Sequence, residues 1–192
     1  MKNYNKDALD IERVLVDEAT LETLTDKIAE EIDKDVEGSE KELLLICVLK
    51  GSLIFTADLM RKIKTPHKVD FIKASSYGSG TVSTGSLKIS LAPAEHNWAE
   101  KFVVIVEDIV DSGNTLSKLV KYFEEKGASC VKTCTLLDKP SRREVEFTPD
   151  YCGQTIPNEF VVGYGLDVDE NYRELPFVGV LKPDVIKKYI SE

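Results

Sequence analysis

The sequence predicts an α/β domain with a mainly parallel central sheet flanked by helices. Three observations carry that expectation. Residues 43–49 and 103–106 are apolar runs, the pattern of strands covered on both faces, and 130–138 reads as another strand. The first two of these runs are each followed, after a short turn of small residues, by apolar positions at helical spacing. Strand-like and helix-like stretches also alternate along the chain, as parallel strands with crossover helices require. Sheets of this kind bind ligands beyond the carboxyl ends of their strands. Lys50, Glu107, Asp108, Lys139 and Asp167 all fall at such predicted ends.

Taken in order, Ile11, Val14, Leu15 and Val16 form a short first strand, and Asp17 caps the helix behind it. Leu21, Leu24, Ile28 and Ile32 give that helix one buried stripe among charged residues, and Gly38-Ser39 ends it. The run 43–49 leads through Lys50-Gly51-Ser52 into a helix from Leu53 to about Ile63. A lysine at a helix N-terminus is electrostatically misplaced unless an anion binds there, and Gly51 permits close backbone approach. Residues 69–74 form the next strand. Residues 75–86 are Gly, Ser and Thr with little to bury, and strand-like 87–91 follows directly, so this is a long mobile hairpin of the kind that serves as a lid. Residues 93–100 are a polar connection holding the single tryptophan, Trp98, to which no role is assigned. After the strand 103–106, Leu116, Leu119, Val120 and Phe123 mark a helix ending near Lys126-Gly127. Residues 130–138 form a strand with Lys139 at its end. Residues 148–159, with two prolines and a glycine, read as loop. Residues 160–167 read as a strand ending on a carboxylate, 178–181 as a last short strand and 183–190 as a last helix.

Composition narrows the function classes. The 192 residues are 42% hydrophobic and 31% charged, which suits one globular domain with a full core. A net charge of −9 argues against nucleic acid or an anionic membrane as a generic partner. Residues 1–7 have no apolar centre, so no signal peptide is expected, and no run approaches membrane-spanning length. Cys47, Cys130, Cys134 and Cys152 form no C-x-x-C pair, and neither His67 nor His96 is given a catalytic role. These features point to a reducing cytoplasm and away from disulfide or metal–thiolate chemistry.

The informative stretch is 103–115. An apolar run stops on Glu107-Asp108, an apolar pair follows, and Asp111-Ser112-Gly113-Asn114-Thr115 forms a small-residue turn into a helix. Backbone N–H groups and the positive end of the helix dipole suit a phosphate. The adjacent carboxylates suit sugar hydroxyls or a metal. Without a matching signature such a turn is an acidic strand-to-helix corner with Asp111 as a helix cap. Residues 104–115, however, resemble the 5-phosphoribosyl pyrophosphate (PRPP) motif of type I phosphoribosyltransferases: apolar strand, two acids, two apolar residues, Asp, Ser/Thr, Gly, any residue, Thr. Leu49-Lys50-Gly51, Ser76-Tyr77, the lysine after Leu136-Leu137-Asp138, and residues 160–175 extend the likeness to the hypoxanthine-guanine branch of that family.

The resemblance implies a type I phosphoribosyltransferase fold over a single domain, 1–192. Its core would be about 35–150, its hood the N-terminal segment plus about 151–192, and its mobile β-hairpin lid about 75–87. It implies transfer of phosphoribosyl from PRPP to N9 of hypoxanthine or guanine, giving IMP or GMP and pyrophosphate. Asp111 is then the catalytic acid–base. Glu107, Asp108, Asp111, Ser112, Gly113, Asn114 and Thr115 bind PRPP and its 5′-phosphate. Lys50, Gly51 and Arg173 bind pyrophosphate, with a cis Leu49–Lys50 peptide. Ile109, Lys139, Phe160, Val161 and Asp167 bind the purine, and Ser76 and Tyr77 close the lid. Glu107, Asp108 and Asp167 hold Mg²⁺, and a homodimer or homotetramer in the cytoplasm is expected. The residues admit hypoxanthine, guanine or xanthine. A PRPP-sensing regulator on the same fold is the rival class, and it calls for a basic face or an added DNA-binding domain.

Overall fold

The computed structural model of the chain describes residues 10–76 and 87–190. In chain order the elements are β1 (Ile11–Val16), α1 (Glu18–Val36), β2 (Glu42–Val48), α2 (Leu53–Lys62), β3 (His67–Ser76), β4 (Leu87–Leu91), β5 (Lys101–Val110), α3 (Asn114–Glu125), β6 (Cys130–Asp138), β7 (Tyr151–Thr155), β8 (Val161–Val162), β9 (Val178–Leu181) and α4 (Pro183–Ile190). Six strands make the main sheet in the order β4-β3-β2-β5-β6-β7. All its pairings are parallel except β3–β4, which is antiparallel. A smaller antiparallel sheet, β1-β9-β8, joins the start of the chain to its end and forms a hood.

The unbroken apolar runs do cover both faces of the main sheet. Leu43, Leu45, Val104, Val106, Cys134 and Leu136 pack with Leu21, Ile28 and Ile32 of α1 and Phe55 and Leu59 of α2. Leu44, Ile46, Val48, Val103 and Ile105 point the other way, onto Leu116, Leu119 and Phe123 of α3. Alternation with a period of two explains why one strand supplies both cores. Asp17 caps α1 as expected, its carboxylate accepting from the Thr20 amide at 2.8 Å. The four cysteines are free thiols. Among the described residues no helix is long and apolar enough to cross a membrane.

Four sequence expectations need correction. Residues 148–159, expected as loop, contain β7, which pairs with β6 at the edge of the main sheet. Gly153 there lies so close to Leu136 that a β-carbon would sit 2.4 Å from its carbonyl oxygen, so the glycine that suggested loop instead permits strand pairing. The strand expected over 160–167 is only Val161–Val162. The backbone then turns through Gly163, Tyr164 and Gly165 at φ of 97°, 52° and 103°, which no strand accommodates. Trp98, placed in a polar connection, is buried against Phe123 with ring centroids 5.2 Å apart and closes the α3 face of the core. The β5 run does not stop at Glu107-Asp108 but pairs with β6 as far as Val110. As expected of a hairpin, β3 and β4 pair side by side up to Ser76 opposite Leu87. Tyr77 lies outside the described residues.

The turn after β8 fastens the hood to the core. The Tyr164 hydroxyl donates to Asp58 of α2 at 2.6 Å. Gly165 lies directly on the Lys50-Gly51 turn, where a β-carbon would meet the Gly51 carbonyl oxygen at 2.0 Å. Gly165→Ala sets a methyl group against backbone that cannot yield, in a conformation that L side chains avoid. We expect it to lower the thermal midpoint by about 4–8 °C, the signature of about 2 kcal/mol in a chain of this size. An unchanged melting curve contradicts this docking.

Candidate active site

Parallel strands bring their carboxyl ends to one edge, and the predicted site residues collect there. Lys50 follows β2, Glu107 and Asp108 lie on the last turns of β5, Asp111 follows β5, and Lys139 follows β6. Glu107 lines the cleft. The Asp108 side chain fills the space that a Gly51 side chain would need, its Oδ2 only 1.7 Å from where that β-carbon would stand. Asp108 Oδ1 accepts from the Ile109 amide at 2.8 Å. Both acids are half-buried, with protein around them on most sides. Burial, followed by the neighbouring Asp108 charge, raises the Glu107 pKa well above the usual carboxylate range. Burial raises Asp108 too, opposed by its hydrogen bonds with Glu107 and Ile109 and by the nearby Arg173 charge.

The turn behind β5 forms a small cavity of about 250 Å³, lined by Glu107, Ile109, Asp111, Ser112, Gly113 and Thr115 among others. Gly113, at φ 81°, is the residue that enters α3, and at the capping position it has no side chain to offer. Asp111 is therefore free of the capping role that an isolated turn would give it. Ser112 Oγ accepts from the Asn114 amide at 3.2 Å, while the Asn114 side chain donates to Glu144 at 2.6 Å. A dianion placed here meets backbone amides and the positive end of a 12-residue helix.

A second cavity, about 490 Å³, is lined by Ile109, Asp111, Lys139, Arg142, Asn158, Glu159, Phe160, Val161, Leu166 and Asp167. It holds all five residues predicted to read the purine. Ile109 and Asp111 line both cavities. Lys139 is buried and anchored by its amide to the Val110 carbonyl at 2.9 Å, with Nζ 3.6 Å from Asp111 Oδ1. An ammonium held this way selects a ligand oxygen over an amino group.

On the other side of the acid pair, Lys50, Gly51 and Arg173 come together. Lys50 Nζ donates to Glu170 Oε2 at 2.9 Å, and Arg173 reaches the same oxygen at 3.2 Å. Arg173 also donates to the Gly165 carbonyl at 2.7 Å and pairs with Asp167 at 3.0 Å. Its Nε is buried without a hydrogen-bond partner among the described residues. The Leu49–Lys50 peptide is cis, as the resemblance implied. Asp167 Oδ2 accepts from the Glu170 amide at 2.8 Å. Glu107, Asp108 and Asp167 do not converge, and the described residues contain no group of three or more acids, His or Cys able to hold a metal by themselves. A cation between them therefore has to share its remaining positions with ligand or water oxygens, as Mg²⁺ commonly does with phosphates.

Comparison with known proteins decides the family. Residues 15–169 match the phosphoribosyl transferase domain. The hypoxanthine-guanine phosphoribosyltransferase of Streptococcus thermophilus (strain CNRZ 1066) is 45% identical over 179 residues, covering 93% of this chain and 98% of that protein. That of Lactococcus lactis is 47% identical over 178 residues, covering 93% and 95%. The chain belongs to the hypoxanthine-guanine phosphoribosyltransferase family. A crystal structure of a hypoxanthine phosphoribosyltransferase from Staphylococcus aureus superposes with a TM-score of 0.89 at 38% identity, over 96% of this chain and 98% of that one, so the fold is of type I.

Three residues of this phosphoribosyltransferase's site escaped the sequence reading. Glu170 bridges Lys50 and Arg173, and those cations draw its carboxyl below the ordinary range. Tyr164 ties the hood to α2. Arg143 lies behind the turn at 110–112, where it donates to the Val110 and Asp111 carbonyls. Each interacts with elements distant in the chain, so no local pattern marks it.

The acid pair makes a testable trade of stability against function. A carboxyl with a raised folded-state pKa binds more protons folded than unfolded between the two values, so stability falls as pH climbs through that window. Glu107→Gln removes the penalty. We expect it to raise the melting temperature of the unliganded protein at neutral pH, by about 2–4 °C per kcal/mol recovered. The gain should vanish near pH 4, below the unfolded carboxyl pKa of about 4.3. A lower melting temperature at neutral pH contradicts the uncompensated burial of Glu107.

Proposed function

We propose that this enzyme transfers a 5-phosphoribosyl group from PRPP to N9 of hypoxanthine or guanine, releasing pyrophosphate and forming IMP or GMP. The observation that carries the reading is the shared wall of the two cavities. Asp111 and Ile109 line both the amide-rich pocket and the pocket holding Lys139 and Phe160. A ligand filling both therefore has the bond between sugar and base beside the Asp111 carboxylate.

In this reading the turn at 111–115 holds the 5′-phosphate through its amides and the Ser112 and Thr115 hydroxyls. Glu107 and Asp108 accept from the ribose hydroxyls. Lys50, the Gly51 backbone and Arg173 hold pyrophosphate, and the buried Nε of Arg173 supplies a donor for it. Phe160 stacks on the purine, Lys139 donates to its exocyclic oxygen, and the backbone at Val161 and the residue Asp167 meet its edge. Glu107, Asp108 and Asp167 suit a magnesium ion bound together with PRPP, because burial disfavours the charged form of Glu107 and Asp108 until a cation joins them and the substrate brings the missing oxygen ligands. Such an ion supplies Lewis-acid neutralisation of the departing pyrophosphate.

The bond between ribose C1 and the pyrophosphate oxygen breaks, its electron pair leaving with pyrophosphate. The lone pair of N9 forms the new bond to C1. The purine proton displaced in that step goes to the Asp111 carboxylate, aimed at N7. Closure of the segment bearing Ser76 and Tyr77 keeps water from the ribosyl cation. We further propose a cytoplasmic enzyme working as a homodimer or homotetramer.

A spectrophotometric assay with PRPP, magnesium and each purine base in turn tests the activity directly, and turnover with hypoxanthine or guanine is the expected result. Asp111→Asn should lower kcat by about 10²-fold or more, in line with lost general acid–base catalysis. Its KM for PRPP should stay within a few-fold of the wild-type value. Near-normal turnover in that variant removes Asp111 from the chemistry.

A further inference from the structure

Behind the turn at 110–114 runs a segment that touches neither cavity through Arg143, yet holds the turn from its far side. The Arg143 guanidinium makes a four-way clamp. Nε donates to the Phe147 carbonyl at 3.0 Å, Nη1 to the Val110 carbonyl at 3.0 Å and to the Asp111 carbonyl at 2.6 Å, and Nη2 pairs with the Asp138 carboxylate. The Glu144 amide then takes the Ser112 carbonyl at 3.0 Å. Phe147 and Val145 close the space behind Gly113, whose β-carbon would meet their side chains at 3.0 and 3.1 Å.

In a trans peptide the N–H points opposite to the C=O. Holding the carbonyls of Asp111 and Ser112 backward therefore turns the amides of Ser112 and Gly113 forward, into the cavity that those residues line. The same guanidinium grips Asp138, the residue before Lys139. One side chain thus fixes the amide-bearing turn relative to the strand end that carries the buried ammonium. A largely buried ion pair such as Arg143–Asp138, with 15% and 12% of the side chains exposed, gains little net stability after desolvation. Its planar, multi-donor geometry is what a lysine lacks.

We infer that Arg143 is a positioning residue that presents the Ser112 amide to the ligand's phosphate, with the adjoining Glu144 amide holding the Ser112 carbonyl so that the Gly113 amide faces the same way. The inference rests on the proposed phosphate role of the 111–115 turn, and the test separates the two. Dissociation constants of IMP and of inosine, measured by competition titration on the wild type and on Arg143→Gln, isolate the phosphate contribution as the ratio of the two.

The wild type should prefer IMP by at least about 100-fold, equivalent to two charge-assisted hydrogen bonds. In Arg143→Gln that ratio should drop at least about tenfold while inosine affinity stays within about threefold. Equal weakening of both ligands marks a purely structural role and overturns the inference, as does an unchanged ratio. A wild-type protein without preference for IMP overturns the phosphate role itself, and the inference with it. Should the glutamine variant fail to fold, Arg143→Lys carries the same comparison. One ammonium cannot hold three carbonyls and a carboxylate at once, so the same loss of ratio is expected.

Discussion

The site depends on a close approach of three backbones. The Asp108 side chain occupies the place of a missing Gly51 side chain, and the Gly51 carbonyl occupies the place of a missing Gly165 side chain. This stack locks the end of β5 to the turn after β2, and that turn to the hood. The stack brings Lys50 and Arg173, 123 positions apart, onto the same Glu170 oxygen, close to Asp108. The stack also explains why the chain turns sharply after Val162. A continued strand would carry the hood past the cleft, whereas the left-handed turn at Gly163–Gly165 folds it back onto the core.

Rigidity at the edge of the sheet has an electrostatic cost. Glu107 and Asp108 sit side by side on a paired strand, where most of their water is displaced. Arg173 answers part of the charge, but Arg173 is itself shared with Glu170, Asp167 and the Gly165 carbonyl. The unliganded site thus crowds two carboxyl groups whose charged form burial disfavours on one side, and amides and a buried lysine on the other. A ligand bearing hydroxyls, phosphate groups and an accompanying cation relieves both imbalances at once. Groups fixed on strand ends in this way are preorganised, the condition under which electrostatic stabilisation is strongest.

The sequence made much of this legible, for identifiable reasons. Buried parallel strands are written as unbroken apolar runs, and a small-residue turn between strand and helix is a contiguous signature, so residues 103–115 could be read in place. Lys139, Phe160, Val161 and Asp167, which the resemblance assigned to one ligand, line one cavity. Legibility failed where tertiary contacts override local chemistry. Gly153 and the flanking prolines suggested loop, but Gly153 serves a strand pairing that leaves no room for a side chain. Apolar residues at 160–166 suggested a strand, but the glycines on either side of Tyr164 support a turn that hydrogen-bonds across the hood. Trp98 lay among polar neighbours whose outward orientation only the fold reveals. Arg143 and Glu170 act on partners up to 120 positions away, which no window of sequence contains.

In the proposed reading one ligand spans both cavities, with its phosphate on the amides of the 111–115 turn and its base beside Lys139. A crystal structure of the protein with IMP tests it most directly. The account predicts the 5′-phosphate within hydrogen-bond distance of the Ser112 and Gly113 amides and the purine oxygen within reach of Lys139 Nζ. A nucleotide bound with its phosphate away from that turn, leaving the cavity beside Glu107 empty, contradicts it.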